Sequence, residues 1–187
     1  MKWNKRVYVT LALFVCSAAL YRVVPGRPYG FAPQIAMALF GGAVFRWSWE
    51  AFAFPLISLL ISDALYQFLY IQGLTPIQGF YSGQWLNYAI LSTVVLLGLL
   101  FKNLSLRNIA LYSFLAPTWY FLLSNFTVWL GSDGLFIPRT WAGLVETYVL
   151  GLPFYQTSIW ATYFFSALFF GAHSLYTVKK EVLSLRS

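Results

Sequence analysis

Cysteine, histidine and charged residues are scarce in this sequence. Its 187 residues contain one cysteine and one histidine, and 9% of them carry a charge. A single cysteine excludes an internal disulfide, and one cysteine with one histidine cannot form a Cys/His metal cluster. The catalytic patterns HExxH and GxSxG and the phosphate-binding P-loop are also missing from the chain. The sequence therefore predicts no enzyme activity, no metal centre and no cofactor.

The low charge also separates this chain from soluble and disordered proteins. Soluble domains carry about 25% charged residues, whereas 60% of this chain is hydrophobic and its mean hydropathy is +0.69. Disordered chains combine low hydrophobicity with high charge, which is the opposite composition. At about 20 residues per span, the length allows five to seven membrane-spanning helices. These features indicate a small polytopic membrane protein.

Hydrophobic runs divide the chain into six predicted spans. They cover residues 7–24, 31–45, 52–71, 84–101, 109–129 and 155–176. A further apolar stretch at 140–152 is shorter and stops at Pro153, so it predicts a re-entrant or interfacial helix before the last span. The predicted fold is an all-α membrane helical bundle that forms one domain over residues 1–187.

The distribution of basic residues predicts the orientation of this bundle. Six spans place both termini on one side of the membrane. The basic residues that share this side are Lys2, Lys5, Arg6, Arg46, Lys102, Arg107, Lys179, Lys180 and Arg186. Because basic residues concentrate in cytoplasmic loops, both termini are predicted to lie in the cytoplasm. Orientation then accounts for the net charge of +7, and nucleic acid is not predicted as a partner.

Asp63 is the one acidic residue well inside a predicted span. Helical spacing aligns it with Tyr66, Gln67 and Tyr70 along one face. A charged side chain is costly in lipid, so this face is expected to look into the bundle or into a cavity. Two interpretations stay open: Asp63 belongs to a ligand or ion site, or it forms a structural pair with Arg22.

Polar and aromatic residues of other segments complete a predicted binding site in the outer half of the membrane. Its predicted members are Asp63, Tyr66, Gln67, Asn87, Tyr120, Asn125, Trp129 and Glu146. The carboxylates and Asn125 are expected to bind polar groups of a solute, and the aromatic rings to stack on its apolar faces. The alternatives are interhelical contacts for the two asparagines and exposure in an outer loop for Glu146.

Several motifs together carry a family resemblance. They lie at residues 28–33 (PYGFAP), 36–43 (AMALFGGA), 59–63 (LLISD), 124–129 (SNFTVW), 138–144 (PRTWAGL), 148–154 (YVLGLPF) and 166–171 (SALFFG). With these motifs the chain resembles an uncharacterised family of small bacterial membrane proteins described as transport proteins. The resemblance extends over residues 22–171, and it implies a location in a bacterial inner membrane.

By size and topology, that family is similar to the substrate-binding S-components of energy-coupling-factor (ECF) vitamin transporters. The similarity implies six helices, an outward-facing vitamin site, and a transmembrane coupling subunit with ATPases as partners. S-components often carry Ala-x-x-x-Ala on the first helix for contact with the coupling subunit, where this chain has Ala12-x-x-x-Cys16. The family pattern tends to place an Asp early in the last span, where this chain has Thr162.

We therefore expect a membrane-embedded substrate-binding or transport protein of S-component type. It would capture a small vitamin-like or planar solute from outside, and its other partners would be membrane lipid and a coupling subunit. One alternative is a non-catalytic structural subunit of a larger membrane assembly, with small-residue faces on spans 1 and 2 as contact surfaces. The other is an ion-coupled secondary carrier that uses Asp63.

Overall fold

The described part of the chain forms six helices in the order that the hydrophobic runs predict. The computed structural model describes residues 5–46 and 48–184, including the side chains of residues 9, 11–46 and 48–177, and no strand occurs in this part of the chain. The helices are α1 (Lys5–Arg22), α2 (Gln34–Phe45), α3 (Trp49–Ile71), α4 (Gln84–Leu99), α5 (Leu106–Gly131) and α6 (Trp141–Ser184). The predicted all-α class is confirmed, and each of the six predicted spans corresponds to one helix.

Part of the orientation argument depends on residues near the termini. Lys2 and Arg186 lie outside the described residues, as do the side chains of Lys5, Arg6, Lys179 and Lys180.

The structure corrects the prediction for the stretch before the last span. Residues 141–152 do not form a separate re-entrant or interfacial helix; they begin α6, which continues through Pro153 for 44 residues in total. A proline inside a helix removes one hydrogen bond, here the one to the carbonyl of Val149, and crowds that turn. Apolar residues continue on both sides of Pro153, and the neighbouring turns keep their own hydrogen bonds. The proline therefore does not end the helix.

The short helix α2 forms the core of the bundle. Ten of its twelve residues are buried, and it packs against α3, α4, α5 and α6. Glycines permit this close packing: a Cβ on Gly42 would overlap the Val95 carbonyl oxygen, and one on Gly98 would overlap the Leu39 carbonyl oxygen. The small residues of α2 therefore pack inside the bundle.

The C-terminal half of α2 lies in an aromatic cluster centred on Phe40. Its ring centroid is 5.2 Å from that of Phe170, 5.9 Å from that of Phe169 and 6.1 Å from that of Phe54. The imidazole of His173 approaches the same ring at 6.0 Å. Edge-to-face and tilted ring pairs of this kind add to the energy of burial, so this end of the core is dry and densely packed.

The outer surface of the bundle is apolar. Large hydrophobic side chains are exposed on every helix except α2, for example Leu13, Phe68, Trp85, Leu106 and Trp160. Among the described helices, α3 is the one that is long and apolar enough to cross a membrane, with a mean hydropathy of 1.6 in its most apolar stretch. By length and composition, α3 can therefore span a membrane as predicted. For the other five helices, a membrane span stays a prediction.

Candidate functional site

A buried carboxylate, Asp63, joins three helices. It lies on α3 with 1% of its surface exposed. Its Oδ1 atom forms an ion pair with Arg22 at the end of α1, and its Oδ2 accepts hydrogen bonds from the Gln84 amide and, at 2.7 Å, from the Tyr88 hydroxyl of α4. A buried charge is tolerable when it is paired and hydrogen-bonded in this way. We call Arg22, Ser62, Asp63, Gln84 and Tyr88 the Asp63 cluster.

Arg22 is held from several directions. Its Nη1 atom also donates to the Ser62 hydroxyl at 2.7 Å, and its guanidinium carbon lies 5.5 Å from the ring centroid of Tyr66. The Tyr66 hydroxyl donates to the Arg22 carbonyl oxygen at 2.6 Å. This carbonyl belongs to the last residue of α1 and has no partner within its own helix, so Tyr66 caps the helix and aligns Arg22 with Asp63.

The loop between α1 and α2 brings a second guanidinium group to this region. Arg27 donates to the carbonyl oxygens of Arg22 at 3.2 Å, Pro28 at 3.2 Å and Phe31 at 2.6 Å. In residues 5–46 and 48–184 no carboxylate pairs with it. Arg27 therefore folds the loop over the end of α1 and keeps its positive charge uncompensated.

The same loop is anchored to α6 through Gly30. Its φ is +83°, and a Cβ at this position would lie 2.7 Å from the Phe154 carbonyl oxygen, so both conformation and space require glycine. The Ser158 hydroxyl donates to the Gly30 carbonyl oxygen at 3.2 Å. The start of α2 is thereby fixed relative to α6.

A cavity of about 210 Å³ lies between these elements. It is lined by Arg22, Arg27, Gly30, Ala32, Gln34, Ile35, Leu59, Leu91, Tyr120 and Ser158. Two guanidinium groups, an amide and two hydroxyls share its wall with three branched apolar side chains. Small-molecule sites also combine apolar side chains with convergent polar groups, although this wall is more polar than most and its volume is below the roughly 300–1,000 Å³ of sites for drug-sized ligands.

Gln34 supplies an unpartnered polar atom to the cavity wall. The side chain is 6% exposed, and its Nε2 donates to the buried Ser58 hydroxyl at 3.4 Å. Its Oε1 atom has no hydrogen-bond partner in the described structure. An unsatisfied buried polar atom costs about 1–3 kcal/mol, so a solute that donates a hydrogen bond here would relieve that cost.

Five of the eight predicted site residues lie in or beside this region. Asp63 and Tyr66 hold Arg22, and Tyr120 lines the cavity. Asn87 donates to the Gln84 side-chain oxygen at 3.3 Å, which places it next to the Asp63 cluster. Gln67 accepts a hydrogen bond of 3.1 Å from the backbone N–H of Phe80 and so holds the α3–α4 loop against α3.

The other three predicted residues contact other parts of the bundle. Asn125 donates to the carbonyl oxygen of Phe121 in its own helix at 2.8 Å and packs beside Gly151 of α6. Trp129 donates to the Thr140 carbonyl oxygen at 3.2 Å, and Glu146 is exposed. None of them lines the cavity, and their role in binding stays a prediction.

Of the ten residues in the cavity wall, Tyr120 alone belongs to the predicted site; the polar wall residues that the prediction lacks are Arg22, Arg27, Gln34 and Ser158. Gln34 carried a usable signal, because it is the one strongly polar residue in the second hydrophobic run. Arg27 lies on the predicted outer side of the membrane, and that position alone gives no sign of a binding role. The sequence does not show how the α1–α2 loop folds, and this fold brings Arg27 to the cavity that Ser158 of α6 also lines.

Fold and site together define a class: an all-α bundle with an apolar exterior, a buried Arg–Asp cluster and a small mixed cavity beside it. The chain belongs to DUF6580, a family of unknown function, whose family model matches residues 1–184. No curated protein and no solved structure matches the chain. The predicted membership of an uncharacterised family is confirmed, and the similarity to S-components stays a prediction.

Proposed function

We propose that this chain is a membrane-embedded protein that binds a small solute in the cavity beside the Asp63 cluster and serves in its uptake. The observation that carries the proposal is the inverted polarity of the bundle. Asp63 is 1% exposed, whereas Trp85 is 68%, Trp160 70% and Leu106 83% exposed. Soluble monomers rarely expose continuous apolar surface of this kind. Lipid is the solvent in which apolar side chains face outward and charges gather inside.

The predicted orientation supports an outward-facing site. With both termini in the cytoplasm of a bacterial cell, the α1–α2 loop lies on the outer side of the inner membrane. Arg27 and Gly30 of this loop line the cavity, so a solute from outside would reach it beneath the loop. The volume of about 210 Å³ favours a small, vitamin-like or planar molecule over a larger one.

An S-component type of mechanism fits this arrangement. The bundle would capture the solute outside and release it inside after reorientation, driven by a transmembrane coupling subunit with ATPases. Support comes from the chain length, the six helices and the exposed small residues Ala12 and Cys16 on α1, which allow close approach of another helix.

The test is small-molecule mass spectrometry on purified, then denatured, protein. We expect the wild-type chain to carry a stoichiometric small molecule. In Leu91→Phe a larger side chain replaces a cavity-wall residue that is 1% exposed, and the bound molecule should be lost. Leu96→Phe is the matched control, because Leu96 lies on the same helix with 46% of its surface exposed. Equal amounts of the molecule in both variants would rule out this cavity as the site.

A second candidate function is a non-catalytic subunit of a larger membrane assembly. One observation favours it: an apolar groove of about 300 Å³ between α1 and α3, lined by Val15, Cys16, Phe54 and Ile57 among others. Cys16 is exposed there. This candidate predicts that the chain purifies with a partner protein and aggregates alone. A stable, monomeric chain in detergent would count against it.

A further inference from the structure

The charge of the cavity wall gives information about the solute that this proposed function leaves open. Of the two guanidinium groups in the wall, Arg22 is neutralised by Asp63. Arg27 donates only to backbone carbonyl oxygens, and no acidic residue lines the cavity. Within the described residues, the cavity wall therefore carries one uncompensated positive charge.

The start of α2 adds to this positive potential. Ala32, Gln34 and Ile35 line the cavity, and Pro33 at the N-cap offers no side-chain hydrogen bond to the helix. The first backbone hydrogen bond of α2 runs from the N–H of Met37 to the Pro33 carbonyl oxygen at 2.8 Å. The N–H groups before Met37 in the first turn have no partner within the helix. The N-terminus of a helix carries roughly half a positive charge and favours anions.

Gln34 is an independent sign that the cavity takes a ligand. Its side chain is 6% exposed, and its Oε1 lacks a partner among the described residues. The hydroxyl of Ser58 can both donate and accept, so the Gln34 amide can turn and present either its oxygen or its N–H₂ to a solute. Gln34 can therefore either accept or donate a hydrogen bond, whereas Arg27 can only donate and always carries its positive charge.

We propose that the solute is a small carboxylic acid bound as its monoanion, and this inference rests on the proposed solute-binding function. Its carboxylate would be held by Arg27 and the N-terminus of α2, and a second polar group by Gln34. A planar guanidinium matches a planar carboxylate, and one free positive charge balances one negative charge. Ile35, Leu59 and Leu91 would contact its apolar body.

The experiment compares acids with their neutral amides on the intact, detergent-solubilised chain. The probes are three pairs of acid and amide: acetate and acetamide, benzoate and benzamide, and nicotinate and nicotinamide. The measured quantity is the melting temperature as a function of probe concentration at neutral pH, where the acids are ionised. We expect at least one acid to stabilise the protein and its amide to have no effect. Inorganic phosphate, a mixture of mono- and dianion at neutral pH, is the probe for a tetrahedral oxyanion and should bind more weakly than that acid.

Arg27 variants test the source of the specificity. Arg27→Gln should weaken binding of the acid about 10- to 100-fold, as expected for the loss of one or two charged hydrogen bonds, and Arg27→Lys should restore part of it. Arg139→Gln is the matched control, because Arg139 also donates to a backbone carbonyl oxygen, that of Ser132 at 2.8 Å, in an exposed loop. Its binding should equal that of the wild type.

Three results would overturn the inference. Equal stabilisation by an acid and its amide would show a neutral solute and leave the proposed function intact. Tighter binding of phosphate than of every acid would assign the cavity to a tetrahedral oxyanion. If no probe stabilises the wild-type chain, the carboxylate inference fails, and the Leu91→Phe co-purification experiment decides separately whether the cavity binds a solute. The comparison of acid with amide needs only the wild-type chain, so it holds even where a variant does not fold.

Discussion

The two ends of α2 are equally buried but differ in chemistry. At its start, Gln34 faces a cavity beside paired charges and keeps one oxygen unpartnered. At its end, Phe40 and Phe45 lie among other aromatic rings, with centroids about 6 Å apart or closer. One region is open and polar, and the other is dry and filled. We therefore assign the stability of the bundle to the aromatic end, and our proposal places the ligand at the polar end.

The largest expected effect is the loss of Asp63. Asp63→Ala leaves Arg22 as an unpaired charge and removes the partner of Gln84 and Tyr88, which for a buried pair costs about 3–5 kcal/mol. Both the free energy of unfolding and the amount of co-purified solute should fall. Denaturant unfolding in detergent measures the first, and mass spectrometry the second.

Asp133→Ala is the control for this change, because Asp133 is exposed and accepts a hydrogen bond from the Leu135 N–H in a loop. It should change neither quantity. If Asp63→Ala keeps both stability and solute, the central role given to Asp63 is wrong.

A comparable loss of stability, but no loss of binding, is expected at the aromatic end. Phe40→Ala opens a cavity among Phe54, Phe169 and Phe170 and should cost about 3–5 kcal/mol. The solute carried per folded molecule should stay at the wild-type value, because Phe40 does not line the solute cavity. Loss of solute from the folded fraction would show that the two ends of α2 are coupled.

A smaller effect is expected where α2 crosses α4. In Gly98→Ala the added methyl group meets the backbone of Leu39 and Gly42, and such overpacking costs about 1–3 kcal/mol. Gly171→Ala on α6 is the matched control, because nothing lies within 4 Å of the added carbon. Its stability should rise by up to about 1 kcal/mol through helix propensity. Equal melting temperatures for the two variants would contradict the close contact.

The smallest effect on stability, with a clear effect on binding, is expected for Gln34→Leu. This change removes the unpartnered oxygen and keeps the apolar bulk, so the free energy of unfolding should stay within about 1 kcal/mol of the wild type. Solute binding should weaken about tenfold through the lost hydrogen bond. Gln156→Leu, at an exposed position on α6, should leave binding unchanged. Unchanged binding in both variants would remove Gln34 from the site.

Much of the fold could be predicted because the signals are local. Runs of apolar residues located each of the six described helices. The structural pairing of Asp63 with Arg22, one of two interpretations left open, is present in the structure. Pro153 was misleading, because a proline lowers the stability of one turn without deciding whether the helix continues.

The site was harder to predict because its parts come from separate segments. Arg27 reaches the cavity through a loop whose fold depends on Gly30, and Ser158 reaches it from a helix 128 residues further along the chain than Gly30. Hydrophobic periodicity carries no information on such contacts. Asn125 and Glu146 show the converse: polarity alone suggested a shared site, whereas helix packing keeps them away from the cavity wall.

The most direct measurement is an experimental structure of the wild-type chain purified from bacterial membranes with its solute. The account predicts density for one small molecule in the cavity, in contact with Arg27 and Gln34 and beside Leu91, with the Arg22–Asp63 pair intact. A small molecule bound elsewhere, or a cavity closed by the side chains of its own wall, would contradict it.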